Sequence, residues 1–186
     1  MRKSDQNKIN AIKESVLDLS YKVGISNITT AKIAKNAGVS PATIYIHYQD
    51  KTDLLSRLYE EVKTNLHSGL NEAIDKNLNL ESQIKQAIVY SISQYRKYPK
   101  QAYFMSTLWS NQEMLDEKAI NFGNTMEGPL KDLFERIESS EEYLVPSPTI
   151  LAIFFTVPTL VLQRQPDIDK NMIDQLSEMI IKAIKK

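Results

Sequence analysis

Residues 24–55 read G-I-S-N-I-T-T-A-K-I-A-K-N-A-G-V-S-P-A-T-I-Y-I-H-Y-Q-D-K-T-D-L-L, and no other stretch constrains the fold as tightly. Helix stops and starts follow one another here at short intervals. Gly24 is placed to end a first helix that carries Ile9, Ile12, Val16, Leu19 and Val23 on one face. Thr29 can cap a second helix, with Ile33 and Ala34 on its buried side and Gly38 as its stop. Ser40 caps a third, with Pro41 at its first position, where a missing N–H costs nothing. Asp50 caps a fourth, long helix bearing Leu54, Leu55, Leu58, Val62, Leu66, Leu70 and Ile74 at spacings of three and four. The second and third helices are short and must pack closely around Gly38. Their facing positions are accordingly small or apolar: Ala34, Ala37, Val39 and Ile44.

Helical periodicity continues to the end of the chain, and no segment alternates with period two for long. Further helices are expected over about 80–98, from Pro99 to about 109, and over about 113–138 with a break at Gly128-Pro129. After Pro146-Ser147-Pro148 two more follow, over about 147–164 and 169–185. The expected fold is all-α, with about nine helices and no sheet. Three helices form an N-terminal head over residues 1–50, and residues 51–186 form a helical body.

Composition removes several classes of function. The 186 residues contain no cysteine, which excludes disulfide frameworks, thiolate zinc sites and cysteine nucleophiles. His47 and His67 are the only imidazoles, and there is no phosphate-cradling glycine loop and no His–Glu metal spacing. No enzyme activity, cofactor or metal is expected. The start of the chain has no apolar run behind it, and the most apolar stretch, 150–162, is too short to span a bilayer. A soluble, cytoplasmic protein with no membrane partner is expected.

Charge is unevenly placed although the total is zero. Residues 1–48 carry Arg2, Lys3, Lys8, Lys13, Lys22, Lys32 and Lys35 against Asp5, Glu14 and Asp18, a net +4 that leaves −4 for the remainder. A basic head on an acidic body suits a head that meets phosphate. Two short helices joined by a Gly turn are a device for laying the second in the major groove of DNA, its N-terminal residues toward the base edges. Ser40, Pro41, Ala42, Thr43, Tyr45 and His47 occupy those exposed positions, and Lys51 stands at the start of the next helix, where free N–H groups and a cation both favour phosphate.

At T-T-A-K-I-A, the A-G-V-S turn, T-I-Y-I-H-Y and D-K-T-D-L-L, in that order and spacing, the chain resembles the TetR family of bacterial transcriptional regulators. The resemblance covers the first 55 or so residues by motif and the rest by helix count. It implies that Thr30 holds a phosphate, that Thr43 faces bases or backbone, that Tyr45 and His47 touch phosphates or the groove wall, and that Lys51 clamps the backbone. Some relatives have arginine where this chain has Ala31. From Ser40 to Tyr48 there is no Arg, Lys, Asn or Gln, so the usual bidentate partners of guanine and adenine are missing. Readout is then expected to lean on thymine methyls, hydroxyls and DNA shape.

The resemblance also implies a body that encloses an effector and forms a dimer. Tyr90, Tyr95, Tyr103, Phe104, Met105, Trp109, Phe122 and Met126 are the candidates for an apolar, aromatic pocket, with a packed core as the alternative use of the same residues. Phe154, Val157 and Val161 on one helix and Leu176, Met179 and Ile180 on the next are the candidates for a two-fold interface. The expected function is a homodimeric, ligand-responsive regulator, most often a repressor in this family. Its partners would be a palindromic double-stranded operator, a small apolar or aromatic effector and a second copy of itself. Two alternatives stay open: a constitutive DNA-binding regulator without effector, and a helical carrier or enzyme with a vestigial head.

Overall fold

A computed structural model of the chain describes residues 3–125, 128–144 and 147–186. Eleven α-helical segments follow one another among these residues: α1 (Lys3–Val23), α2 (Thr30–Ala37), α3 (Pro41–His47), α4 (Lys51–His67), α5 (Leu70–Ala73), α6 (Leu80–Lys97), α7 (Pro99–Trp109), α8 (Glu117–Asn124), α9 (Pro129–Glu138), α10 (Pro148–Arg164) and α11 (Lys170–Ile184). The all-α expectation holds: the described residues form no strand, only an isolated bridge between Tyr143 and Lys185. None of their helices is long and apolar enough to cross a membrane.

The helix starts are those the capping residues announce. Thr29, Ser40, Asn79, Asp116, Ser147 and Asp169 each accept a hydrogen bond on the side chain from an N–H in the first turn of the helix that follows. Asp50 does the same for α4 through Asp53 N at 2.8 Å. Expectation and structure part at the far end of α4. The apolar spacing runs unbroken through Leu66, Leu70 and Ile74, yet the helix stops at His67 and resumes for one turn as α5. The Tyr90 hydroxyl fills the break: it donates to Leu66 O at 3.0 Å and accepts from Gly69 N at 3.0 Å. A Cβ on Gly69 would lie 3.1 Å from that oxygen, so the residue without a side chain sits where the phenol approaches.

By compactness the chain divides into two units, one made of the residues up to 65 with 100–125, the other of 66–99 with the residues from 126 onward. The first contains α1–α3, α8 and nearly all of α4 and α7. Its core joins Ile12 and Val16 of α1 to Ile25, Ile28, Ile33, Ala34 and Ile44, all at most 3% exposed. Ser15 Oγ donates to Ile33 O at 2.9 Å and accepts from Asn36 at 3.1 Å, a polar tie between α1 and α2. In the same unit Arg57 of α4 pairs with Asp53, Glu60 and Asp116, and the buried Ser56 hydroxyl accepts from Asp116 N at 2.8 Å. Lys63 donates to the carbonyls of Phe122, Gly123 and Thr125, the end of α8 where a cation is favoured.

The second unit packs α5, α9, α10 and α11 around α6. Buried Gln83 of α6 donates to Leu78 O at 2.6 Å and accepts from Arg136 at 2.8 Å. Arg96 reaches Ile168 O, and Lys85 pairs with Asp174 at 2.8 Å. α10 has Pro158 in its interior, with the hydroxyls of Thr156 and Thr159 bonded to carbonyls three residues back.

Candidate nucleic-acid interface

The turn between α2 and α3 is closed by its own backbone. Gly38 adopts φ +67° and ψ +30°, a left-handed conformation that costs a residue with Cβ and not glycine. Gly38 N donates to Lys35 O at 3.3 Å and Val39 N to Ala34 O at 3.0 Å, the paired bonds of a Schellman stop. Ser40 follows at once in extended backbone and caps α3: its Oγ accepts from Thr43 N at 3.3 Å and lies 2.9 Å from Thr43 Oγ1. Only two residues therefore separate the Gly38 stop from Pro41, the first of α3. Ile44 anchors α3 with no exposed surface, and Tyr48 closes its end at 8% exposure. Burial pushes the Tyr48 phenol up to about 12, helped by Glu61 and Asp53, so it stays neutral.

Around that anchor the expected contact residues fall on accessible surface. Ser40, Pro41, Ala42 and Tyr45 are exposed, and Thr30, Thr43, His47 and Lys51 are half-buried. Thr30 and Tyr45, fifteen positions apart, meet: their hydroxyl oxygens are 3.2 Å from each other, joining the start of α2 to the open side of α3. Such a pair fixes two hydroxyls side by side at the surface. Partial burial moves the Lys51 ammonium below its usual range, and an anion placed beside it would move it back up. One residue was missing from the sequence expectation. Ile46 is 75% exposed on α3. The signal was available, because positions 44 and 46 of a helix point nearly opposite ways, so a buried Ile44 puts Ile46 outside.

The effector and dimer candidates are distributed as follows. Tyr103, Phe104, Met105, Trp109 and Phe122 belong to the first unit, Tyr90 and Tyr95 to the second, and Met126 lies outside the described residues. Phe104 is fully buried and Tyr95 is 7% exposed, so both sit within packed core. Tyr103 stacks edge-on against Tyr21 at 5.4 Å, and Lys63 lies over the Phe122 ring at 5.3 Å. Tyr90 is occupied at the α4–α5 break. Phe154, Val157, Val161 and Leu176 are half-buried and Met179 is 68% exposed. Ile180 is 4% exposed and lies in the core of this chain, while the exposed hydrophobics of α11 are Met172 and Met179. No cluster of three or more His, Asp or Glu suited to a metal occurs among the described residues.

Residues 17–58, from the middle of α1 through the first two turns of α4, match the family model of bacterial regulatory proteins, tetR family. Over that segment the chain is similar to the TetR family. Among curated proteins it is similar to the nucleoid occlusion factor SlmA of Photorhabdus laumondii, 30% identical over 115 residues that cover 62% of this chain and 53% of that protein. It is similar also to the SlmA of Vibrio cholerae, 28% identical over 120 residues, 63% of this chain and 55% of that one. The match thus spans about half the length of these relatives. Among solved structures, a TetR family transcription regulator from Marinobacter aquaeolei superposes with TM-score 0.80 at 21% identity, and one from Haemophilus influenzae with 0.75 at 19%, each covering 100% of both chains. The fold described for this chain is therefore shared with these structures along its whole length.

Proposed function

We propose that this chain is a homodimeric, DNA-binding transcriptional regulator, with residues 1–50 as the DNA-binding part and residues 51–186 serving ligand binding and dimerisation. The observation that carries the reading is the head itself: a Gly38 stop, a Ser40 cap, and the Thr30–Tyr45 hydroxyl pair beside an accessible α3. Thr30, Tyr45 and Lys51 hold phosphates, Ser40, Pro41, Ala42 and Thr43 approach the bases, and His47 meets the groove wall. The exposed apolar stripes of α10 and α11 suit a two-fold pairing of copies, which sets two α3 helices against half-sites about one helical turn apart. In the leading form of this reading the protein is a repressor, and a small apolar or aromatic effector releases it by favouring a state whose heads no longer match the operator.

The test is binding to duplex DNA from upstream of its own gene. Affinity should fall steeply as salt rises, and a double variant, Thr43→Ala with Tyr45→Ala, should abolish it while the body stays folded. Salt-independent or absent binding sinks the reading.

One observation favours a second reading, a regulator controlled without an effector. The second unit has an open cleft of 430 Å³ lined partly by Ser82, Lys85 and Gln86, and an apolar recess of 210 Å³ beside Leu144 and Phe154. Neither is lined by more than one of the aromatic candidates. A thermal-shift screen of apolar and aromatic compounds separates the two forms: a ligand that raises the melting temperature and lowers DNA affinity supports the effector.

A further inference from the structure

Four of the seven residues of α3 are exposed: Pro41, Ala42, Tyr45 and Ile46. The polar groups among and beside them already have partners, Ser40 with Thr43 and Tyr45 with Thr30. What projects without any is apolar. Ala42 and Ile46 are four residues apart, so they stand one above the other on a single face of the helix. At 75% exposure Ile46 is the most open large hydrophobic among the described residues, and folding gives it almost no burial. The floor of a major groove presents one apolar group, the C5-methyl of thymine, and small or aliphatic side chains are what contact it. No guanidinium, ammonium or carboxamide side chain on α3 competes to read a neighbouring base.

We infer that Ile46, with Ala42 one turn before it, sets the sequence preference of the head by burying a thymine methyl in each half-site. This rests on the DNA-binding reading above and names how that surface discriminates. A branched C4 side chain against a methyl rewards thymine and treats cytosine, which has hydrogen at that carbon, as a missing contact. The preference is therefore modest and resides in shape and burial, without a hydrogen bond to the base.

Selection from a randomised duplex pool supplies the preferred site, and each thymine in it is then replaced by deoxyuridine, which removes the methyl and keeps the pairing edge. At one thymine per half-site, binding should weaken about fourfold, the worth of one buried methyl, and about fifteenfold when both half-sites are changed. Ile46→Ala should bind the thymine and uracil duplexes alike, with the salt dependence of the parent chain. Two results overturn the assignment. One is indifference of the parent chain to uracil at every position. The other is an Ile46→Ala variant that loses affinity equally on both duplexes, which would put the side chain against the sugar–phosphate edge. A chain that binds no duplex even at low salt removes the DNA-binding reading, and the assignment with it.

Discussion

The open side of α3 and the open side of α10 are both apolar, and they are built for opposite surroundings. On α3 the uncovered residues are few, Pro41, Ala42, Tyr45 and Ile46, and the Thr30 hydroxyl pairs with that of Tyr45 and the Ser40 hydroxyl with that of Thr43. On α10, Ile150, Ile153 and Leu160 are 41%, 57% and 50% exposed at spacings that make one long stripe, and no charged residue interrupts the helix before Arg164. Met172 and Met179 continue such a stripe on α11. In the proposed reading, a small apolar tip rimmed by hydroxyls meets a polyanion with a methyl on its floor. A long stripe uninterrupted by charge, as on α10, suits burial against another apolar surface. Exposed hydrophobic area alone does not tell one use from the other; what surrounds it does.

The sharpest way to break this comparison is to put charge on each side. Ile153→Asp with Leu160→Asp should weaken self-association by about a hundredfold or more, since an unpaired carboxylate in an apolar interface is costly. Sedimentation velocity reads the change, and an unaltered oligomer would remove α10 from the interface. Ile46→Asp should leave sedimentation untouched and lower duplex affinity at least about tenfold, by repulsion from phosphate and loss of the apolar contact. Fluorescence anisotropy decides it. Milder changes sharpen the phosphate side of the contrast: Thr30→Val and Tyr45→Phe should each cost about fivefold in DNA affinity, the worth of one hydrogen bond, with little change in melting temperature.

Two further outcomes concern the supports behind these surfaces. Burial of Asp116 raises its pKa, but the Ala119 N–H and the Arg57 guanidinium outweigh this and hold the carboxyl below the ordinary 3.8. A carboxylate with a depressed folded pKa contributes stability above its unfolded value and loses it as pH falls through the folded one. Asp116→Asn should therefore lower stability by about 1 kcal/mol at neutral pH, and flatten the loss of melting temperature below about pH 4. The smallest effect is expected from Tyr90→Phe, about 1 kcal/mol or less in denaturant melts and none on DNA binding. A loss of DNA affinity there would link the α4–α5 break to the head.

Much of the head was legible because its signals are local. Gly38, the Ser40–Pro41 pair and the caps at Thr29 and Asp50 act through bonds to residues one to five positions away, and the sequence displays those neighbours directly. The break at 68–69 was not legible. Its cause is Tyr90, more than twenty positions on, and the apolar period through Leu70 and Ile74 gave no sign of it. The burial of Ile180 and the exposure of Ile46 are hidden in the sequence for a related reason. Each helix carries more apolar residues than one face can bury, and which of them faces the core depends on neighbours brought in by the fold. The pocket candidates illustrate the same limit, since an aromatic residue looks identical in sequence whether it lines a hollow or fills it.

Gly123 of α8 carries a last consequence. A Cβ there would lie 2.5 Å from a ring carbon of Trp109 and 2.9 Å from the hydroxyl of Tyr59, so the indole of α7 and the phenol of α4 rest directly on the backbone of α8. Lys63 holds the neighbouring carbonyls from the same side of α4. Gly123→Ala would therefore force the Trp109 indole and the Tyr59 phenol off the backbone of α8.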